Sequence, residues 1–203
     1  TVVVNPTPEI TSLTAVTPIC EDEDAVFTLE GTPDATVSYT LNGGIAQTVT
    51  LDASGLATVT VAGATADQTI ALTQIVGTNT CQEDLTNTFT VVVNPNPEFT
   101  SLTAVTPICE GEDAVFTLEG TPDATVSYTI NGGATQTIVL DATGIATVTV
   151  VGATVDQTIN LIEIVSIDNC QEDLTNTFTV VVNPTPEITS LTAVTPICED
   201  EDA

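Results

Sequence analysis

Lysine, arginine and histidine are absent from these 203 residues, and so are methionine and tryptophan. The 28 Asp and Glu side chains stand unopposed, so the formal net charge is −28 at pH 7. A chain with no cation to set against a phosphate makes no ordinary nucleic-acid contacts, and an anionic membrane surface repels it. The same absences empty the catalytic inventory: no His or Lys serves as general base or Schiff-base nucleophile, and no Arg clamps an anionic substrate. Enzymatic activity is therefore not expected. Trypsin-like proteases find no residue to cut after, and Lys-based isopeptide cross-links cannot form. Aromatic residues make up only 3% of the chain, too few to line sugar-stacking surfaces readily. No apolar run approaches the length of a bilayer span, and no basic-then-apolar leader opens the chain, as expected of an internal piece of a longer protein.

What is present is β-branched and repetitive. Residues AVILMFWYC account for 42% of the sequence, much of it Val, Ile and Leu alternating with Thr, which is the makeup of ordered sheet and not of an acidic disordered tail. The stretch Thr-Val-Val-Val-Asn-Pro begins at residues 1, 90 and 179, a fixed spacing of 89 residues. That period is long enough for one domain with its own core. It divides the chain into residues 1–5 as the last strand of a preceding repeat, 6–94 and 95–183 as two full repeats, and 184–203 as the start of a following one. The connector around Asn94, Pro95 and Pro97 carries two prolines that fix φ and remove donors, so it should be extended and stiff, stringing the repeats in a line.

Within the first repeat, residues 8–16 read as an opening strand whose apolar Ile10, Leu13 and Val16 are irregularly spaced, as in a strand that kinks between sheets. Ala25, Phe27 and Leu29 alternate with Val26, Thr28 and Glu30 in a second strand, the Phe27 face expected in the core, closed by Gly-Thr-Pro-Asp at 31–34. Val37, Tyr39 and Leu41 form a third that runs into Asn42-Gly43-Gly44, a strong hairpin signal because these residues tolerate positive φ. A fourth strand holds Val49 and Leu51, and a turn at 52–55 leads to a fifth with Ala57, Val59 and Val61. Residues 69–76 make a sixth, 77–85 a polar loop carrying Cys81, and 87–93 a seventh with Phe89, Val91 and Val93 inward. Seven short strands with no helical periodicity predict an all-β fold of tandem immunoglobulin-like antiparallel sandwiches in head-to-tail array, lacking the usual core Trp. The second repeat keeps the punctuation at Tyr128, Asn131, Asp141, Cys170 and Phe178.

Cys20 and Cys81 of one repeat match Cys109 and Cys170 of the next, and Cys198 begins a pair whose partner is expected beyond the end. Paired cysteines in such a chain read as disulfides in an oxidising, extracellular place. Zinc would need four clustered soft ligands, which two Cys per repeat without His do not supply. Two pairings stand open. If every connection reverses direction, Cys20 and Cys81 lie at opposite ends of the sandwich, about 20 to 25 Å apart, beyond the roughly 7 Å between Cα atoms that a disulfide spans. That favours Cys20 with Cys170 across the junction of two repeats; the other pairing is Cys20 with Cys81 and Cys109 with Cys170 inside each repeat.

Carboxylates gather beside the cysteines: Glu21, Asp22, Glu23 and Asp24 after Cys20, with Glu172 and Asp173 after Cys170. On the junction pairing these two groups would meet, and calcium is the hard cation that could neutralise them. Their spacing matches no EF-hand loop, and solvated turns on a soluble surface account for them without any metal. No other cofactor is expected.

The repeat has a recognisable order of motifs: Thr-Pro-Ile-Cys, Gly-Thr-Pro-Asp-Ala-Thr-Val, Asn-Gly-Gly, Leu-Asp-Ala-Ser-Gly-Leu-Ala-Thr-Val-Thr-Val, a second Cys, and closing Thr-Val-Val-Val-Asn-Pro. In this it resembles the immunoglobulin-like tandem repeats of giant Bacteroidota cell-surface adhesins, including gliding-motility adhesins and related substrates of type IX secretion. The resemblance implies an extracellular surface fibre whose repeats supply length while other parts anchor and bind. The complete lack of Lys and Arg departs from that pattern. Its expected partners are neighbouring repeats, other copies in a filament, and a surface or glycan ligand; nucleic acid and membrane insertion are not expected. The competing expectation is a glycan-binding module using end loops such as 42–44 or 77–85.

Overall fold

Alternation of apolar and threonine side chains puts every second residue on one face of a strand, and burying that face requires a second sheet. The computed structural model describes residues 4–192, and the expectations for Thr1 to Val3, Cys198 and Ala203 lie outside them. Two compact units result: unit 1 comprises Thr1–Pro97 with Val165–Glu172, and unit 2 comprises Glu98–Ile164 with Asp173–Ala203. The short segment Val165–Glu172, which belongs to the second copy of the sequence repeat, is thus part of unit 1.

The first ten strands are β1 (Ile10–Ala15), β2 (Ile19–Cys20), β3 (Ala25–Gly31), β4 (Thr36–Leu41), β5 (Gln47–Thr50), β6 (Leu56–Val61), β7 (Gln68–Val76), β8 (Gln82–Asp84), β9 (Thr88–Val91) and β10 (Val93–Asn94). One sheet has the order β1-β3-β6, the other β5-β4-β7 with β8 and β9 both on the free edge of β7, and β2 runs parallel to β10. This is an immunoglobulin-like β-sandwich. Its core takes Phe27, Leu29 and Val59 from one sheet and Val37, Ile70, Ile75 and Val91 from the other. Each such side chain contributes about 1.5–3 kcal/mol on full burial.

The ten elements of the second copy follow at the same spacing: β11 (Phe99–Ala104), β12 (Ile108–Cys109), β13 (Ala114–Gly120), β14 (Thr125–Ile130), β15 (Gln136–Val139), β16 (Ile145–Val150), β17 (Gln157–Val165), β18 (Gln171–Asp173), β19 (Thr177–Val180) and β20 (Val182–Asn183). Sheet order repeats as well, β11-β13-β16 and β15-β14-β17-β18, with β12 parallel to β20. Among the described residues there is no helix, and so none long and apolar enough to cross a membrane.

Three features differ from the sequence reading. The opening strand has a bulge, with Ile10 opposite Gly31 and Ser12 opposite Glu30, which lets Ile10 and Leu13 both face inward despite their odd spacing. Val16 is not core: it is 77% exposed, because the chain leaves the sheet there and Ile19 of β2, 8% exposed, fills the position instead. The polar loop also contains a strand, since Gln82 to Asp84 pair with Val76 to Gln74 on the edge of β7.

The turns are fixed by residues that accept positive φ. Asn42 (φ 51°) and Gly43 (φ 68°) form the tip of a type I′ turn closed by Gly44 N–H donating to the Leu41 carbonyl at 2.8 Å. The Asn42 side chain then reaches across, accepting from Thr69 N–H at 2.8 Å and donating to Gln68 Oε1 at 2.7 Å. At the other turn Gly55 has φ 80°, and a Cβ there would collide with the Gly31 carbonyl.

Candidate functional site

His, Lys and Arg are absent, and the reactive side chains that the structure links to one another are the cysteines and the turns that present them. Cys20 ends β2. There Glu21 N–H donates to the Asn94 carbonyl at 2.8 Å, and the Glu23 carboxylate turns back to accept from Cys20 N–H at 2.8 Å. Asp24 accepts from Gly63 N–H at 3.0 Å, and Asp67 from Val93 N–H at 2.9 Å. Two of the four clustered carboxylates are thereby spent on backbone donors, which holds the cysteine at a rigid corner.

The connector is docked on unit 1. Asn94 is a strand residue paired with Cys20, Asn96 donates its amide to the Glu21 carbonyl at 3.2 Å, and Pro97 is buried while Pro95 is exposed. At the start of unit 1, Asn79 performs a similar task, donating to the Pro6 carbonyl at 3.3 Å while its Oδ1 accepts from Cys81 N–H at 3.0 Å. Sequence reasoning passed over Asn79 and Asn96; for Asn79 the signal was an amide two residues before Cys81, the spacing of an Asx turn, and for Asn96, whose partner is 75 residues away, there was none.

In unit 1, Cys20 is disulfide-bonded to Cys170, with 5.5 Å between their Cα atoms and 150 residues between them in sequence. Cys170 sits at the end of a turn in which Ser166 N–H donates to the Cys170 carbonyl at 2.8 Å and Asn169 takes φ 64°. It is fully buried, its Sγ lying 3.9 Å from the Asn94 carbonyl oxygen. The within-repeat pairing does not occur: Cys81 and Cys109 are free thiols, half-buried and exposed respectively. The reason is the strand order. In unit 1, Cys20 lies beside Asn94 where the sandwich ends, whereas the Cys81 turn lies beside Pro6 and Pro8 where it begins.

The carboxylates offered for calcium do not assemble into a ligand set. Among the described residues no group of three or more His, Cys, Asp or Glu side chains converges on a point that could hold a metal ion. Glu23 and Asp24 face backbone donors as above, Asp22 takes φ 69° at the tip of its turn, and Glu172 and Asp173 are exposed on β18. Glu21 is half-buried next to the disulfide. Asp141 is a turn carboxylate with a displaced titration. Hydrogen bonds from the Thr143 hydroxyl, and from the Ile145 and Thr143 amides, hold it below the usual 3.8.

The aromatic rings give no binding platform. Phe27 and Phe116 are fully buried, Tyr39 and Tyr128 are 6% and 7% exposed, and Phe89, Phe99 and Phe178 are half-buried against the cores. The amide of Asn42, at the tip of an exposed hairpin, is engaged on the sandwich itself.

No protein-family model matches the chain, and no curated protein does. Among solved structures it is similar to a marsupial T cell receptor, at 8% identity over 90% of this chain and 75% of that one, with a TM-score of 0.52. Rst D1-D2 matches at 8% identity over 89% of this chain and all of the other, TM-score 0.47. The BSP domain of a biofilm-associated protein matches at 19% identity and TM-score 0.32, covering 87% of this chain, which spans 30% of that one. At such identities the likeness to the receptor is one of fold, and the fold is the immunoglobulin-like sandwich already described.

Proposed function

We propose that this chain is a length of shaft from a long extracellular surface fibre, in which 89-residue immunoglobulin-like repeats follow one another and serve cell-surface adhesion or gliding motility. The observation that carries this reading is the disulfide between Cys20 of the first sequence copy and Cys170 of the second. A bond of that kind persists in an oxidising compartment and ties successive copies covalently, which is what a load-bearing fibre needs and a freely hinged string of binding modules does not. The sequence resemblance to Bacteroidota surface adhesins, with export by type IX secretion, points the same way. A surface of unopposed carboxylates keeps such a fibre hydrated and discourages non-specific aggregation.

The alternative, a glycan-binding module, draws no support from the geometry, because no described aromatic ring is open for stacking. Immunogold labelling of native cells with antibodies against this chain tests the shaft reading. Label running along surface fibres at regular intervals is the expected result; label confined to the cytoplasm would overturn it. Selective binding of the chain to members of a glycan array would instead favour the module.

A further inference from the structure

The corner that holds Cys20 has a twin in unit 2, and the twin is uncovered. Around Cys109, Glu110 N–H donates to the Asn183 carbonyl at 2.8 Å and Glu112 accepts from Cys109 N–H at 2.7 Å, reproducing the bonds made around Cys20. What differs is burial. Cys20, Glu21, Asn94 and Asn96 are half-buried and Pro97 is buried, whereas Cys109, Glu110, Asn183, Thr185 and Pro186 are all exposed. In unit 1 the turn carrying Cys170 lies against this corner. In unit 2 the corresponding corner opens into a depression of about 520 Å³ lined by Glu110, Thr154, Asp156, Val182 and Pro184.

The turn that would fill it also has a second example. Gly77 N–H donates to the Cys81 carbonyl at 2.9 Å and Thr80 N–H to the Gly77 carbonyl at 2.9 Å, with φ 67° at Thr80. Ser166 to Cys170 make the same two bonds, with φ 64° at Asn169. Cys81 therefore sits in the conformation that Cys170 has when bonded, but is a free thiol and only half-buried.

We infer that the Cys109 corner is a docking socket for the Cys81-type turn of another copy of this repeat, and that docking is locked by a disulfide between them. This deepens the shaft reading and rests on it only in requiring that copies succeed one another. The occupant is specified by what sits on the twin corner: a turn of four residues and a Cys, followed by Gln-Glu-Asp. The oxidant is a low-molecular-weight disulfide such as oxidised glutathione. The Cys109 thiolate attacks it and releases one glutathione thiolate; the Cys81 thiolate then attacks the mixed disulfide and releases the second, so two protein thiols are oxidised as one glutathione disulfide is reduced.

The test uses two variants of the whole chain, Cys81→Ser and Cys109→Ser, each also carrying Cys198→Ser so that one reactive thiol remains. Mixed in equal amounts in a glutathione buffer, they should give a Cys109–Cys81 heterodimer in at least about tenfold excess over either homodimer, against a twofold excess for random pairing. Adding Val155→Glu to the chain that supplies Cys109 places a carboxylate at the mouth of the depression, on a residue 62% exposed whose change leaves the core intact, and should abolish the selectivity. Random pairing, or thiols that stay free in the mixture, would overturn the inference. Either result leaves the labelling of native fibres untouched, so the two readings fail separately.

Discussion

Replacing both Cys20 and Cys170 by Ser should weaken unit 1 far more than the size of the change suggests. The bond closes a loop of 150 residues. In the chain-entropy treatment, a loop that long costs the denatured state about 5 kcal/mol of conformational freedom at 25 °C. If unit 2 stays folded while unit 1 melts, the flexible parts run from Cys20 to Pro97 and from Val165 to Cys170. The logarithm makes this a small correction, to about 4.5 kcal/mol. Native-state contacts change little, since a Ser Oγ nearly fits the space of each sulfur, so the loss should appear as a lower urea midpoint with a raised m-value as the denatured chain expands. Urea titration of the oxidised parent and the double variant, followed by circular dichroism, measures it. Cys81→Ser and Cys109→Ser are the controls and should lie within about 0.5 kcal/mol of the parent. A loss below about 1 kcal/mol for the double variant, or equal losses for all four cysteines, would refute the reasoning.

Asn42→Ala should cost unit 1 about 2–3 kcal/mol, because it puts a Cβ-bearing residue without a compensating amide at φ 51° and strips the partners of Thr69 N–H and Gln68 Oε1; Asn42→Gly restores the turn and should recover about 1 kcal/mol of that in the same urea assay. Asp141 titrates below 3.8 in the folded chain, so its contribution to stability is present above that pH and is lost as pH falls through the folded value; Thr143→Ala should move its NMR-determined pKa upward, and a value at or above 3.8 in the parent would contradict the assigned hydrogen bonds. Melting curves in millimolar calcium and in chelator, matched for ionic strength, should coincide, because Glu23 and Asp24 already serve backbone donors; a clear rise with calcium would show that the carboxylates do gather around it. Phe27→Ala and Phe116→Ala should each cost about 3–5 kcal/mol in their own units, since both rings are fully buried.

Much of the sandwich was legible because a period of two leaves little freedom. Ala25, Phe27 and Leu29 alternate with Val26, Thr28 and Glu30, and the first three are fully buried. Where the chain changes sheets, periodicity stops informing: Val16 continues the apolar series but is exposed, because position in the ladder ends at Ala15 and resumes at Ile19 against Val93. The short edge strand at Gln82 to Asp84 was invisible because both its faces are polar, so pairing with β7 leaves no hydrophobic signature. The cysteines were only half legible. Strand direction separates Cys20 from Cys81, yet spacing alone left Cys20 open to either partner, and the deciding contact is made by a turn 150 residues away. Pro marks the connector as extended in the sequence, while the Asn96 amide that pins it to Glu21 looks like any polar linker residue. The carboxylates beside Cys20 looked like ligands for the same reason: their targets, the amides of Cys20 and Gly63, are set by backbone geometry that no spacing rule encodes.

The covalent tie between sequence copies is tested most directly by mapping disulfides in the oxidised Cys198→Ser chain, in which the peptide holding Cys20 has no twin of equal mass, cleaved after Glu and Asp under non-reducing conditions because no Lys or Arg is present. A mass matching the Cys20 peptide joined to the Cys170 peptide, absent after reduction, is the predicted result. Cys20 joined to Cys81, with Cys109 joined to Cys170, would contradict it.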